Sequence, residues 1–131
     1  MMKKILAVED DVTQRYVLKI VLESFALDFE IAASAEEALK LIFEHKHRFA
    51  LVLMDIKLPG MNGLDCTREI RRREAAESLI KIGIIAVTAY AGSEDRALCF
   101  EAGMDDYLSK PYTLEAFKSL IDKYLQTVCC E

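Results

Sequence analysis

The chain has 131 residues, 53% of them hydrophobic, enough for one domain with a buried core. Its formal charge of −5, from 17 Lys and Arg against 22 Asp and Glu, leaves no electrostatic footprint for DNA or RNA. No apolar stretch is long enough to span a bilayer, and the N-terminus runs into acids with no small-residue cleavage site. A membrane protein and a secreted one are both disfavoured, and a cytoplasmic protein is expected. Four cysteines (Cys66, Cys99, Cys129, Cys130) show no C-x-x-C spacing, so reduced thiols are expected and not a zinc site or disulfide framework.

Strand and helix signals alternate along the whole chain. Lys4 to Glu9 reads as a strand, followed by a helix from about Val12 to Phe25 with Val17, Ile20, Val21 and Phe25 along one face. Asp11 is placed to cap that helix. Phe29 to Ala33 is a second strand, and Ser34-Ala35-Glu36-Glu37 is a capping box opening a helix with Leu39, Ile42 and Phe43. His45 and His47 close that helix, where a cation suits the dipole.

Phe49-Ala50-Leu51-Val52-Leu53-Met54 is an apolar run that ends in a carboxylate, Asp55, and then breaks into Leu58-Pro59-Gly60-Met61-Asn62-Gly63. Such a run reads as a strand buried on both faces, with Asp55 at the edge of the sheet. A buried carboxylate is costly unless it is paired, hydrogen-bonded or metal-bound. Asn62 can cap a third helix to about Ala76. Ile82 to Thr88 is a further strand, and Ser93 can cap a helix stopping near Gly103. Tyr107 and Leu108 mark a last short strand. Thr113 then caps a helix with Leu114, Phe117, Ile121, Tyr124 and Val128 at three-to-four spacing. Arg68 and Arg71-Arg72-Arg73 lie among Glu69, Glu74 and Glu77, which reads as a solvated helix face.

Five βα units in this order imply an α/β fold with a parallel sheet covered by helices on both faces. In such sheets, ligands bind outside the carboxyl ends of the strands. The residues at those ends are Glu9, Asp10 and Asp11, then Asp55, then Thr88, then Lys110. An all-oxygen acidic cluster suits Mg²⁺, which keeps several waters and often a phosphate oxygen. A carboxylate beside it can attack phosphorus and form an aspartyl phosphate. A hydroxyl and an ammonium can then hold the phosphoryl oxygens.

Four segments, Val8 to Asp11, Leu53 to Gly63, Ala86 to Ala89 and Asp106 to Pro111, resemble the response-regulator receiver domain in order and separation. The resemblance implies a (βα)5 flavodoxin-like fold with a five-stranded sheet in the order 2-1-3-4-5, as one receiver domain over residues 1–131. It implies that Asp55 accepts a phosphoryl group from a phosphohistidine on a histidine kinase or a histidine phosphotransfer protein. Glu9, Asp10, Asp55 and the backbone carbonyl of Lys57 would then hold Mg²⁺. Thr88 and Lys110 would hold phosphoryl oxygens, Tyr107 would be an aromatic switch, and Lys110-Pro111 would be cis. Phosphorylation would move Thr88 and let Tyr107 turn inward, altering a face of the fourth helix, fifth strand and fifth helix that a downstream protein reads.

Glu9 departs from the aspartate most common at its position, and Lys57 and Tyr90 lie where receivers tune dephosphorylation. The chain leaves no room for an output domain after the last helix, so a stand-alone receiver and a receiver from a hybrid kinase are both open. Two other classes fit less well. A haloacid-dehalogenase-type phosphohydrolase needs an acid two residues after the nucleophile, where this chain has Lys57. A flavodoxin-type FMN carrier needs a hydroxyl-rich phosphate loop after the first strand, where Glu9-Asp10-Asp11 would repel phosphate. A switch, and not a turnover enzyme, is the expectation.

Overall fold

A computed structural model of the chain describes residues 4–44, 49–89 and 92–129, with side chains described through 126. Five strands, β1 (Lys4–Val8), β2 (Asp28–Ala32), β3 (Phe49–Met54), β4 (Gly83–Thr88) and β5 (Asp106–Ser109), alternate with five helices. The helices are α1 (Val12–Ser24), α2 (Ala35–Leu39, continued by a π-helical turn Lys40–Glu44), α3 (Gly63–Ala76), α4 (Ser93–Ala102) and α5 (Leu114–Cys129). All strand pairs are parallel, as the alternation of elements predicts, and the order is β2-β1-β3-β4-β5, as the family resemblance implies.

Alternation along each strand divides the core in two. Leu6, Val8, Val52, Met54, Ile84 and Ala86 face one side and pack with Ala38, Cys66, Ile70 and Cys99 from α2, α3 and α4. Ile5, Ala7, Leu51, Leu53, Ile85 and Val87 face the other and pack with Leu22, Phe117 and Ile121 from α1 and α5. Because side chains repeat every two residues in a strand, a continuous apolar run is what a sheet covered on both faces requires.

The helix starts follow local chemistry. Asp11, Ser34, Asn62 and Thr113 each accept from the backbone N–H three residues on, at 2.9, 3.1, 2.8 and 3.0 Å. The acid of the capping box reaches back one residue beyond the cap, Glu37 accepting the Ala33 N–H at 2.7 Å. Ser93 is a correction. It is the first residue of α4, Gly92 holds the cap position, and no side chain caps that end.

Two further expectations change. In α1, Val17 and Ile20 are about half exposed, and the face turned to the core is Leu18, Val21, Leu22 and Phe25. This helix carries apolar residues on both sides, so its periodicity admits two faces and only the packing selects one. The arginines of α3 are not all solvated. Arg71 donates to the Gly103 carbonyl at 2.9 Å, to Glu74 at 2.8 Å and to Asp105 at 2.9 Å. Glu74 is 2% exposed and also accepts the Ile82 N–H at 2.8 Å, so this cluster joins α3 to the start of β4 and the end of α4. Arg68, Arg72 and Arg73 do pair with Asp65 and Glu69 on the helix surface.

Cys66 and Cys99 are free and buried, and burial pushes the Cys66 thiol up to about 12. His45, His47, Tyr90 and Cys130 lie outside the described residues.

Candidate functional site

Parallel strands put all their carboxyl ends on one rim, and the centre of that rim belongs to β1, β3 and β4. Asp55 follows β3 directly. Its backbone N–H donates to the Val8 carbonyl at 3.3 Å, which ties it to the end of β1. Glu9 follows β1, donates its own N–H to the Ala32 carbonyl at 3.0 Å, and is 4% exposed. One carboxylate oxygen from each of Glu9, Asp10 and Asp55 lies within 4.8 Å of the other two.

The opposing charge comes from β5. Lys110 follows that strand, its N–H donates to the Thr88 carbonyl at 2.8 Å, and the Lys110-Pro111 peptide is cis. Its Nζ lies 3.1 Å from Glu9 Oε1 and 3.8 Å from Asp55 Oδ2. Thr88 ends β4 and is fully buried. Lys57 stands two residues past Asp55 and donates its N–H to Asp55 Oδ1 at 3.3 Å. The ends of β1, β3, β4 and β5 share this rim, with Glu9 and Asp55 one residue and Asp10 two residues beyond their strands.

Burial dominates the electrostatics of Asp55, raising its pKa to about 6. The Lys110 ammonium opposes that rise, the neighbouring Glu9 carboxylate adds to it, and the Lys57 N–H opposes it. A carboxylate desolvated beside a second carboxylate is what a divalent cation relieves. The donor set is all oxygen, which fits Mg²⁺ better than a soft metal.

Tyr107 sits on β5 opposite Ala86 and packs against the core beneath α4. The Arg96 guanidinium lies 5.8 Å from its ring centre, within cation–π range. Its hydroxyl is out of solvent and has no hydrogen-bond partner among the described residues. Burial raises its pKa, with smaller contributions from Cys99 and Asp95.

Two residues at the site had no signal in the sequence reading, Gln14 and Arg15. Arg15 donates to the carbonyls of Glu9 and Asp10 at 3.1 and 2.7 Å. Gln14 Oε1 accepts from Lys110 Nζ at 2.6 Å. Both belong to the first turn of α1, where side chains lean toward the helix N-terminus and so return to the strand edge. That lean was the available clue. Asp11, by contrast, serves as the cap of α1 as expected. Glu9, Gln14, Asp55 and Lys110 rim a groove of about 370 Å³ between α1 and α5, lined below by Leu18, Val87 and Phe117.

A doubly wound parallel sheet with an acid cluster and a lysine at its switch point defines an open α/β domain whose ligand site lies outside the carboxyl ends of its strands. The family profile of the response regulator receiver domain matches residues 5–122, and the chain belongs to that family. It is 35% identical over 122 residues to hybrid signal transduction histidine kinase L of Dictyostelium discoideum, covering 92% of this chain and 7% of that protein. Among solved structures it is similar to the receiver domain of the sensor histidine kinase PA1611 of Pseudomonas aeruginosa PAO1, which has a magnesium ion coordinated in its active site cleft. That match has a TM-score of 0.82 at 32% identity and covers 96% of this chain and 99% of the other. It is also similar to the receiver domain of Ssk1 of Saccharomyces cerevisiae, solved with the histidine phosphotransfer protein Ypd1. Here the TM-score is 0.85 at 25% identity, covering 94% of this chain and 88% of that one. The chain is a receiver domain of two-component or phosphorelay signalling. Among the described residues, no helix is long and apolar enough to cross a membrane.

Proposed function

We propose that Asp55 accepts a phosphoryl group from a phosphohistidine in a Mg²⁺-dependent reaction, and that the domain signals through the resulting change of shape. The observation that carries this reading is the meeting of three carboxylates within 4.8 Å, with the Lys110 ammonium 3.8 Å from Asp55. Glu9, Asp10, Asp55 and the carbonyl of Lys57 would hold the metal. Bound there, Mg²⁺ supplies positive charge to the phosphoryl oxygens and lets Asp55 ionise beside Glu9.

Asp55 is the nucleophile. An Oδ–P bond forms as the P–N bond to the donor imidazole breaks, and the imidazole takes a proton from water. The Lys110 ammonium and the Thr88 hydroxyl stabilise the equatorial oxygens. No acid stands two residues after Asp55, since Lys57 occupies that place, so the domain is a stoichiometric switch with slow self-hydrolysis and not a turnover enzyme.

A histidine kinase or a histidine phosphotransfer protein is the donor class. Val12, Tyr16 and Ile20 are 71%, 65% and 49% exposed and follow one another at four-residue spacing on the outer side of α1. This apolar stripe starts beside the acidic rim, where a docked donor helix would bring its imidazole to Asp55. The phosphorylated domain would act on a downstream protein through α4, β5 and α5. Thr88 moves toward the new oxygens and Tyr107 repacks behind it.

Incubation with a small acyl phosphate, with and without Mg²⁺, followed by intact mass measurement tests the reading. One phosphoryl group should be gained only with Mg²⁺ and only when Asp55 is present. Labelling of the Asp55→Asn variant at equal stoichiometry would remove Asp55 from the role.

A further inference from the structure

The nearest described partner of the Lys110 ammonium is not an acid but Gln14. Its Oε1 is 2.6 Å from Nζ, against 3.1 Å for Glu9 Oε1 and 3.8 Å for Asp55 Oδ2. An ammonium has three N–H donors on a flexible stem, so its direction must come from its neighbours. Gln14 and Glu9 occupy two of them. One N–H remains, and Asp55 Oδ2, at 3.8 Å, lies beyond hydrogen-bond length.

Gln14 is also tied to the loop that carries the acids. Its N–H donates to Asp11 Oδ1 at 2.9 Å, and the next residue, Arg15, holds the carbonyls of Glu9 and Asp10. Its amide oxygen is a neutral acceptor, so it holds the ammonium without adding charge to a site that already has three carboxylates. It lies on the rim of the same groove as Asp55 and Lys110.

We propose that Gln14 is a positioning residue for Lys110: it holds the ammonium beside Asp55 but off it, leaving one N–H for an oxygen of a phosphoryl group on Asp55. This rests on the reading of Asp55 as the acceptor. Without the Gln14 oxygen, the ammonium would swing between Glu9, Asp55 and water, and would have to be ordered again by each phosphoryl group.

Gln14→Met keeps the length of the side chain and removes its acceptor, while Gln14→Glu keeps an oxygen at the same reach. In the resting protein, the ¹⁵Nζ ammonium signal of Lys110, identified by its loss in Lys110→Met, should be observable. It should broaden into the exposed lysines in Gln14→Met and persist in Gln14→Glu. In a titration with beryllium fluoride in saturating Mg²⁺, Gln14→Met should raise the Kd about ten-fold, the loss expected of one charge-assisted hydrogen bond. The Kd for Mg²⁺ alone should stay within about two-fold, because Gln14 ligates nothing. In a Lys110→Met background, Gln14→Met should have no further effect.

An unchanged Lys110 signal in Gln14→Met overturns the proposal. So does an equal loss of beryllium fluoride affinity in the Lys110→Met background. Wild-type protein that binds no beryllium fluoride overturns the acceptor reading of Asp55 instead, and the ammonium signal then still judges the Gln14 contact alone.

Discussion

Gly63 lies directly beneath Asp55: a Cβ built on Gly63 would stand 2.1 Å from the Asp55 carbonyl oxygen and 2.9 Å from its carbonyl carbon. The glycine opens α3, and its N–H donates to the Ile56 carbonyl at 2.8 Å. The chain therefore doubles back on itself between the acid and the helix. Only a residue without a side chain allows that approach.

Gly63→Ala should accordingly destabilise the fold by about 1–3 kcal/mol, the range for forcing atoms into a packed site. Helix propensity alone predicts the opposite sign, a gain of up to about 1 kcal/mol. Urea unfolding decides between them. Mg²⁺ affinity should fall as well, because the backbone that must move carries Asp55.

Asp55 sets a pH dependence with a definite sign. Its pKa in the fold is raised from 3.8 to about 6, so the folded state holds the proton more tightly than the unfolded one. Stability from this group is fully present below about pH 4 and is lost as pH rises through about 6. The difference in unfolding free energy between wild type and Asp55→Asn should therefore change across that window and be flat above it. Mg²⁺ competes with the same proton, so its affinity should weaken as pH falls below about 6, with proton uptake when metal is withdrawn. Calorimetric titration in two buffers of different ionisation enthalpy measures that proton directly.

Tyr107 holds a hydroxyl out of water with no partner among the described residues. A buried unsatisfied donor costs about 1–3 kcal/mol. Tyr107→Phe should raise the stability of the unphosphorylated domain by up to about 1 kcal/mol, since the ring contacts with Arg96 and the core remain. A loss of stability would mean that the hydroxyl has found a partner.

Arg71 and Glu74 form a pair whose side chains are 14% and 3% exposed. Arg71→Met leaves the buried Glu74 carboxylate with the Ile82 N–H as its one partner among the described residues, and should cost about 3 kcal/mol. Adding Glu74→Gln removes the stranded charge and should recover most of it. Chemical denaturation of the two variants checks the recovery. Because this cluster lies at the opposite end of the sheet from Asp55, phosphorylation of the folded fraction should be unaffected.

Much of this molecule is legible residue by residue. The caps at Asp11, Ser34, Asn62 and Thr113 are local bonds between a side chain and the N–H three positions on, so they are visible in a four-residue window. The alternation of apolar runs with amphipathic stretches follows from backbone periodicity. The acids at the strand ends are legible for the same reason, since a buried run cannot carry a charge except where it ends. Ser93 failed as a cap because Gly92 already supplies the turn into α4. In α1, Val17 and Ile20 were misplaced because two apolar faces compete on one helix, and only contact with β1 and α5 resolves them.

By itself, the sequence determined which chemical groups would reach the rim, because the order of strands and helices delivers Glu9, Asp10, Asp55, Thr88 and Lys110 to one edge. Only the tertiary structure decided how those groups share their charges. Gln14 holds the Lys110 ammonium, Arg15 pins the acid loop, and burial beside Glu9 lifts the Asp55 pKa. These are interactions between residues up to 96 positions apart, with strengths set by ångströms and by exclusion of water. Neither quantity is written in the local pattern of a chain.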